Sequence, residues 1–192
     1  SVNGGAIGMA QADKIAKMYS LSAKTGTPVV GIYDSNGAYV DVDTLTAYGK
    51  MINASAVVSG VVPQISLIMG TCAGSSAILA CTSDFVVTEG SELFVTPVAD
   101  GDKTGAGTAK NAMQSGVATS VCSTEEEAIK KVKSILNLMP VNNISALPQF
   151  EYAEPTNAMG KDVTSIAKAI ADDDSVVELS DGFGKASYTA LA

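Results

Sequence analysis

A chain of 192 residues, 46% hydrophobic and 17% charged, has the length of one domain, or of one domain and a piece of another, and can build a sizeable core. A net charge of −8 argues against non-specific nucleic-acid binding, which rests on cations neutralising phosphates, and no run of about 18 apolar residues predicts a membrane span. There is no His and all twelve basic residues are Lys, so this chain offers no Ser-His-Asp triad, no His-ligated metal and no guanidinium clamp, and no metal site is expected.

Ser1 to Gly8 reads as a small-residue loop. Ile7, Ala10, Lys14, Ile15, Met18, Tyr19 and Ser22 recur at helical spacing, which predicts an amphipathic helix ending near Gly26. Val29 to Tyr33 is a buried strand, and Asp34-Ser35-Asn36-Gly37-Ala38 a turn in which Gly37 takes a positive φ. A second helix over about 41–59 carries Leu45, Tyr48, Ile52 and Ala56 on its apolar stripe and ends at Gly60. The pattern then repeats. Gln64 to Met69, between Pro63 and Gly70, is a short buried strand, followed by a helix of small residues from about Ala73 to Thr82. Such a turn lets a ligand approach the N–H groups at a helix start, where donors are unpaired and the dipole favours negative charge. The alternative is a tight crossover that needs small residues only for packing.

Asp84 to Thr88 and Glu92 to Thr96 are two more short strands, 98–110 a polar glycine-rich loop, and Val117 to Cys122 another strand. Ser123 and Glu126 suggest a capping box ahead of a helix carrying Ala128, Ile129, Val132, Ile135 and Leu136, which Pro140 stops. Pro140 to Met159, without periodicity, is an extended connection and the expected domain boundary. A short helix over about 162–172 and strands at Val176–Leu179 and Ser187–Leu191 follow. This order predicts an α/β fold of right-handed βαβ units with mostly parallel sheets. In such folds ligands sit where strands end and helices begin. The turns after Tyr33 and Met69 then lie side by side, and one N–H from each can face a single oxygen. That is an oxyanion hole built without side chains.

Certain stretches are familiar as a set. Gly26 through Asp34-Ser35-Asn36-Gly37-Ala38, then Tyr48-Gly49, then Ser59 through Gln64 to Cys72-Ala73-Gly74, resemble the carboxyltransferase subunits of biotin-dependent acyl-CoA carboxylases. That family includes the sodium-pumping decarboxylases acting on methylmalonyl-CoA and glutaconyl-CoA. Gly4-Gly5 before a helix, Thr82-Ser83-Asp84-Phe85, and Leu138 through Asn143 match in the same order, so the resemblance covers nearly the whole chain. It implies a crotonase-like stack of ββα units. Residues 1–159 would be an N-terminal-type carboxyltransferase domain, and 160–192 a connection and the incomplete opening of a second, related domain.

The implied reaction moves a carboxyl group between N-carboxybiotin and the α-carbon of an acyl-CoA, as carboxylation or decarboxylation. No Met-Lys-Met stretch is present, so biotin is expected on a separate carrier, and the implied partners are acyl-CoA and a biotin carboxyl carrier protein. A cytoplasmic homo-oligomer is implied, in which the first domain of one subunit meets the second domain of another. Carried over position by position, the resemblance implies oxyanion-hole amides at Ala38, Gly74 and Ser75 and substrate contacts at Gly4, Gly5, Asn36, Gly37 and Ala73; the alternative for Gly4 and Gly5 is that they only cap the first helix. Three features depart from the family pattern. Tyr39 stands where a basic residue follows the turn, Ser75-Ser76 where glycine and alanine follow Gly74, and a short glycine-rich loop follows Pro97 in place of a longer insert.

Two other readings compete. A crotonase-class hydratase or isomerase needs a carboxylate near the substrate, and residues 70–82 contain none. A non-catalytic structural subunit of a carboxylase complex would keep the fold alone. Among single residues, Cys72 reads as a small buried filler, because it has no His partner. Cys72, Cys81 and Cys122 lack CxxC spacing and are expected as reduced thiols. Asp34 reads as a turn residue, Lys130, Lys131 and Lys133 as a solvated helix face, and Asp172-Asp173-Asp174 as a loop.

Overall fold

The computed structural model describes residues 2–101, 103–149, 151, 152, 154, 162–172 and 175–192. A 3-10 turn, Asn3–Gly5, precedes α1 (Met9–Thr25), which ends where Gly26, at φ 65°, donates its N–H to the Ser22 carbonyl. There follow β1 (Val29–Ser35), α2 (Thr44–Val58), β2 (Gln64–Ala73), α3 (Ser75–Ala80), β3 (Phe85–Thr88) and β4 (Leu93–Phe94). Then come α4 (Ala109–Gln114), β5 (Ser120–Val121), α5 (Glu125–Leu138), α6 (Val163–Ile170), β6 (Val177–Leu179) and β7 (Thr189–Leu191). Strands β1-β2-β3-β5 lie in that order, every pair parallel, and β4 pairs in parallel with the far end of β2. The expected parallel α/β architecture is what forms.

β2 is the centre of the molecule because both of its faces are covered. Ile65 and Leu67 pack with Val87 and with Ala128, Val132 and Ile135 of α5. Ile68 and Cys72 point the other way, against Ala12 of α1, Ala47 and Met51 of α2, and Ala77 and Ala80 of α3. A strand buried on both faces shows no apolar-polar alternation, which is why it reads as an unbroken run. The few polar residues in it are paired. Gln64 accepts from the Ser55 hydroxyl at 2.8 Å and donates to the Ser55 carbonyl at 3.2 Å, and Ser66 shares a 2.7 Å hydrogen bond with Ser83. The Asp84 carboxylate accepts from the Gln64 N–H at 2.9 Å, so Thr82-Ser83-Asp84 pins the end of the sheet remote from the turns.

Several elements differ from expectation. α2 buries Thr44, Ala47, Tyr48, Met51, Ser55 and Val58, while Leu45 is 86% exposed and Ala56 is exposed. Tyr48 and Ile52 do face the core, which Ala47 and Met51 share, and Ser55 on the buried face bonds Gln64. β2 runs four residues past Met69, since the Cys72 N–H donates to Glu92 O and the Gly74 N–H to Phe94 O. The residues expected to turn are therefore strand, and α3 keeps only six residues. The α5 cap lies one residue later than Ser123 and Glu126: Thr124 accepts from the Glu127 N–H, and the Glu127 carboxylate accepts from the Ser123 N–H. The end of the expected 98–110 loop becomes α4, capped by Thr108.

β6 and β7 pair antiparallel, and Val177 and Leu179 are buried in the same cluster as Ile65 and Val132. The Ser180 N–H donates to Thr119 O at 2.7 Å, and Lys131 donates to Glu178 O at 2.6 Å, so Lys131 is not simply solvated while Lys130 and Lys133 are exposed. The expected boundary between 159 and 160 lies outside the described residues, as do Asp173 and Asp174 of the acidic run.

Candidate active site

Tyr33 pairs with Ile68, but two residues later Ser35 pairs with Cys72, so Asp34 opposes three residues of β2. The extra residues form an irregularity of the bulge type, which bends one strand relative to its partner. Gly70 is in the bulge, and a Cβ there would collide with the Asp34 carboxyl group. Beyond the bulge the turn Asn36–Ala38 lies directly beside Ala73 and Gly74. At Gly37, where φ is 99°, a Cβ would stand 2.8 Å from the Ala73 carbonyl oxygen and 3.7 Å from the Gly74 Cα. The two glycine turns thus meet on one edge, and glycine at 37 is what allows the contact.

The segment before α1 closes the outer side. Ile7 donates to Gly37 O at 2.9 Å and accepts from the Tyr39 N–H at 3.0 Å, while the Asn36 N–H donates to Gly4 O at 2.9 Å. A Cβ at Gly5 would strike the Asp34 carbonyl, and one at Gly4 the Asn36 side chain. Gly4 and Gly5 therefore have a structural duty, the close approach of this segment to the turn. In a strand, alternate residues address opposite edges. Because Gly37 O and Tyr39 N–H face Ile7, the Ala38 N–H faces the opposite edge.

Counting donors narrows the site. Asn36 N–H is taken by Gly4, Gly37 N–H donates to the Ser35 hydroxyl at 3.1 Å, and Gly74 N–H donates to Phe94 O at 2.8 Å. Among the described residues, no acceptor serves the N–H of Ala38 or of Ser75. Of the three amides expected to bind an oxygen, that of Gly74 is closed by β4, and those of Ala38 and Ser75 are open. Gly74 acts instead through its backbone, at φ 57° and ψ −127°, which swings the chain from β2 into α3. With six residues, α3 is under two turns, so the open donor matters more than a summed dipole.

Cys72 lies beneath the turns with no exposed surface, and burial first, then the neighbouring Cys81, pushes its thiol up to about 12. It is a packed thiol and not a nucleophile. Three buried hydroxyls also lie under the turns, those of Ser35, Tyr48 and Ser76. Sequence reasoning passed over Ser35 and Ser76 as small residues. The one signal was Tyr48, a polar aromatic both on the inner face of α2 and within the resemblance.

Residues 1–192 match the family described as carboxyl transferase domain. This chain belongs to that family. Methylmalonyl-CoA decarboxylase subunit alpha of Veillonella parvula is 33% identical over 180 residues, 86% of this chain and 35% of that protein. Propionyl-CoA carboxylase beta chain of Saccharopolyspora erythraea is 36% identical over 189 residues, 91% of this chain and 33% of that protein. The crystal structure of the transcarboxylase 12S hexamer with hydrolysed methylmalonyl-CoA bound superposes with a TM-score of 0.85 at 28% identity, over 96% of this chain and 42% of that one. This carboxyl transferase domain thus spans about a third of the length of its curated relatives. Its fold is crotonase-like, as the resemblance implied. No helix of its described residues is long and apolar enough to cross a membrane.

Proposed function

We propose that this carboxyl transferase domain is the acyl-CoA-binding part of a biotin-dependent acyl-CoA carboxyltransferase or decarboxylase subunit. The observation that carries the reading is a pair of N–H donors, Ala38 and Ser75, on adjoining turns, for which no acceptor is found among the described residues. Such a pair fits a thioester oxygen that becomes an enolate when the α-carbon gains or loses a carboxyl group. Fixed donors aimed at developing charge lower the barrier without any titratable side chain, which suits a chain with neither His nor Arg. Carboxybiotin would be delivered on a separate carrier protein and supplies the carboxyl group or accepts it; no position of this chain is assigned to it. The relatives named above include a methylmalonyl-CoA decarboxylase and a propionyl-CoA carboxylase, so short branched or linear acyl-CoA thioesters are the substrates to try first.

The hydratase or isomerase reading has one observation in its favour. The absence of an acid from 70–82 does not isolate the site from carboxylates, because the Asp34 carboxyl group lies against Gly70. In the full-length protein, Asp34→Asn should leave carboxyl transfer within a few-fold of wild type, whereas a hydratase using Asp34 as its acid or base would lose about 10²–10⁴.

The reading is tested by assaying the full-length protein with methylmalonyl-CoA or propionyl-CoA and a biotinylated carrier. Gly74→Val, which forces the Ser75 N–H out of place, should lower turnover by about 10²–10³. Cys72→Ser should change it little. Equal losses in both variants, or full activity in Gly74→Val, would overturn the assignment.

A further inference from the structure

The hydroxyls under the two turns form a chain whose direction follows from counting protons. A hydroxyl has one proton to give and two lone pairs to receive. Ser35 gives its proton to Gly5 O at 2.8 Å and receives the Gly37 N–H at 3.1 Å. Its second lone pair receives the Ser76 hydroxyl proton at 3.0 Å. Ser76 has then given its only proton, so the 2.7 Å hydrogen bond between Ser76 and Tyr48 must run from Tyr48. The sequence of donation is Tyr48 to Ser76 to Ser35 to Gly5 O. Ser35 is saturated, and the three residues are 5%, 2% and 0% exposed for Ser35, Tyr48 and Ser76.

This chain lies where it controls the open donors. Ser35 holds the Gly37 N–H, and the next amide along is that of Ala38. Ser76 follows Ser75, the other open donor. The Ser76–Ser35 hydrogen bond is the side-chain link between the turn after β1 and the start of α3, and Tyr48 ties both to α2. We infer that Ser35, Ser76 and Tyr48 are positioning residues that set the spacing and direction of the Ala38 and Ser75 N–H groups without touching substrate. The inference rests on the proposed role of those two amides. Buried networks of this kind rigidify a single arrangement when every member is satisfied, and the described residues contain no buried side-chain N or O atom left without a partner.

The test uses the full-length protein. Ser76→Ala cuts the link between the turns, and kcat should fall by roughly 10–100-fold with the acyl-CoA KM within about threefold, because the donors are needed most when charge develops. Tyr48→Phe keeps the shape and removes only the outer donor, so its kcat should fall less. The Ser35→Ala/Ser76→Ala double variant should be scarcely worse than either single one, since residues acting as a unit are non-additive. Hydrogen exchange gives a readout independent of turnover: the Gly37 amide should exchange at least about tenfold faster in Ser76→Ala, while amides of β3 and α5 keep their rates. A wild-type kcat in folded Ser76→Ala, or losses that only track thermal stability, would overturn the inference. If Ser76→Ala does not fold, Tyr48→Phe decides by the same readouts. If the wild-type protein transfers no carboxyl group, the functional reading fails. Exchange at Gly37 then still separates the cases: acceleration confined to the two turns upholds the coupling, and unchanged exchange removes it.

Discussion

At the scale of single residues, two positions under the turns behave differently from what their chemistry alone suggests. Gly74 is surrounded by space, since a Cβ there would meet only Val95 O at 4.0 Å. What demands glycine is the backbone, because φ 57° with ψ −127° is a region that a β-branched residue does not enter without strain. Gly74→Val should therefore cost about 1–3 kcal/mol of stability while displacing the Ser75 N–H. Chemical denaturation and turnover, measured on the same preparation, separate the two effects. Cys72 carries the second residue-scale prediction. Its thiol titrates near 9.0 when unperturbed and about 12 when buried in the native state. Over that window the native protein keeps a proton that the unfolded chain releases, so stability declines as pH rises from about 9 toward 12. The buried Tyr33 phenol, pushed up mainly by desolvation, acts in the same direction. Urea midpoints at pH 8, 9.5 and 11 should fall in that order, and Cys72→Ala should flatten part of the decline. A native thiol alkylated rapidly at pH 8 would contradict this placement of Cys72.

At the scale of elements, partners decide boundaries. β2 extends to Ala73 because Glu92, just before β4, and Phe94 in β4 supply carbonyls to Cys72 and Gly74, and that same extension closes the Gly74 amide while leaving the Ser75 amide open. A strand partner twenty residues along the chain thus decides that the Gly74 N–H is spent inside the fold. α5 shows the local counterpart: Thr124 caps the helix, and Glu125, Glu126 and Glu127 occupy its first turn, where negative charge is favoured. Thr124→Ala should cost about 1 kcal/mol, seen as a lower denaturation midpoint with an unchanged slope. Because α5 covers the face of β2 opposite to the turns, turnover at saturating substrate should stay at the wild-type value.

At the scale of the molecule, one sheet separates the cluster around Ile68 from that around Leu67, and the turns follow the paired ends of β1 and β2. Val40, Val42 and Leu45 follow the first turn and are 98%, 95% and 86% exposed. An apolar stretch of that kind beside the open donors is what a subunit contact would cover. On the proposed reading, in which a second domain from another subunit completes the site, we expect the isolated 192-residue chain to fold, to self-associate, and to transfer no carboxyl group. Light scattering and a transfer assay on the isolated chain check this. A monodisperse monomer with measurable turnover would refute it.

Local chemistry sufficed for much of this. The breaks at Gly26 and Gly60, a turn around Gly37 (at Asn36–Ala38, since Asp34 and Ser35 extend β1) and the strand-helix order are short-range properties, because positive φ, missing N–H groups and hydrophobic period are set within a few residues. They were enough to bring Gly37 and Gly74 to one edge of a parallel sheet. What stayed hidden depends on contacts across long separations. The buried face of α2 takes in Ala47, Met51 and Ser55, the last bonded to Gln64, and Leu45 is left in water. The choice of Ser75 over Gly74 as a donor follows from Phe94, and the positioning role of Ser35 and Ser76 from a hydrogen bond between residues 41 positions apart. A serine in sequence carries no mark of whether its hydroxyl will face water or another hydroxyl. Only folding removes the water, and only then does the identity of the remaining partner determine what the residue does.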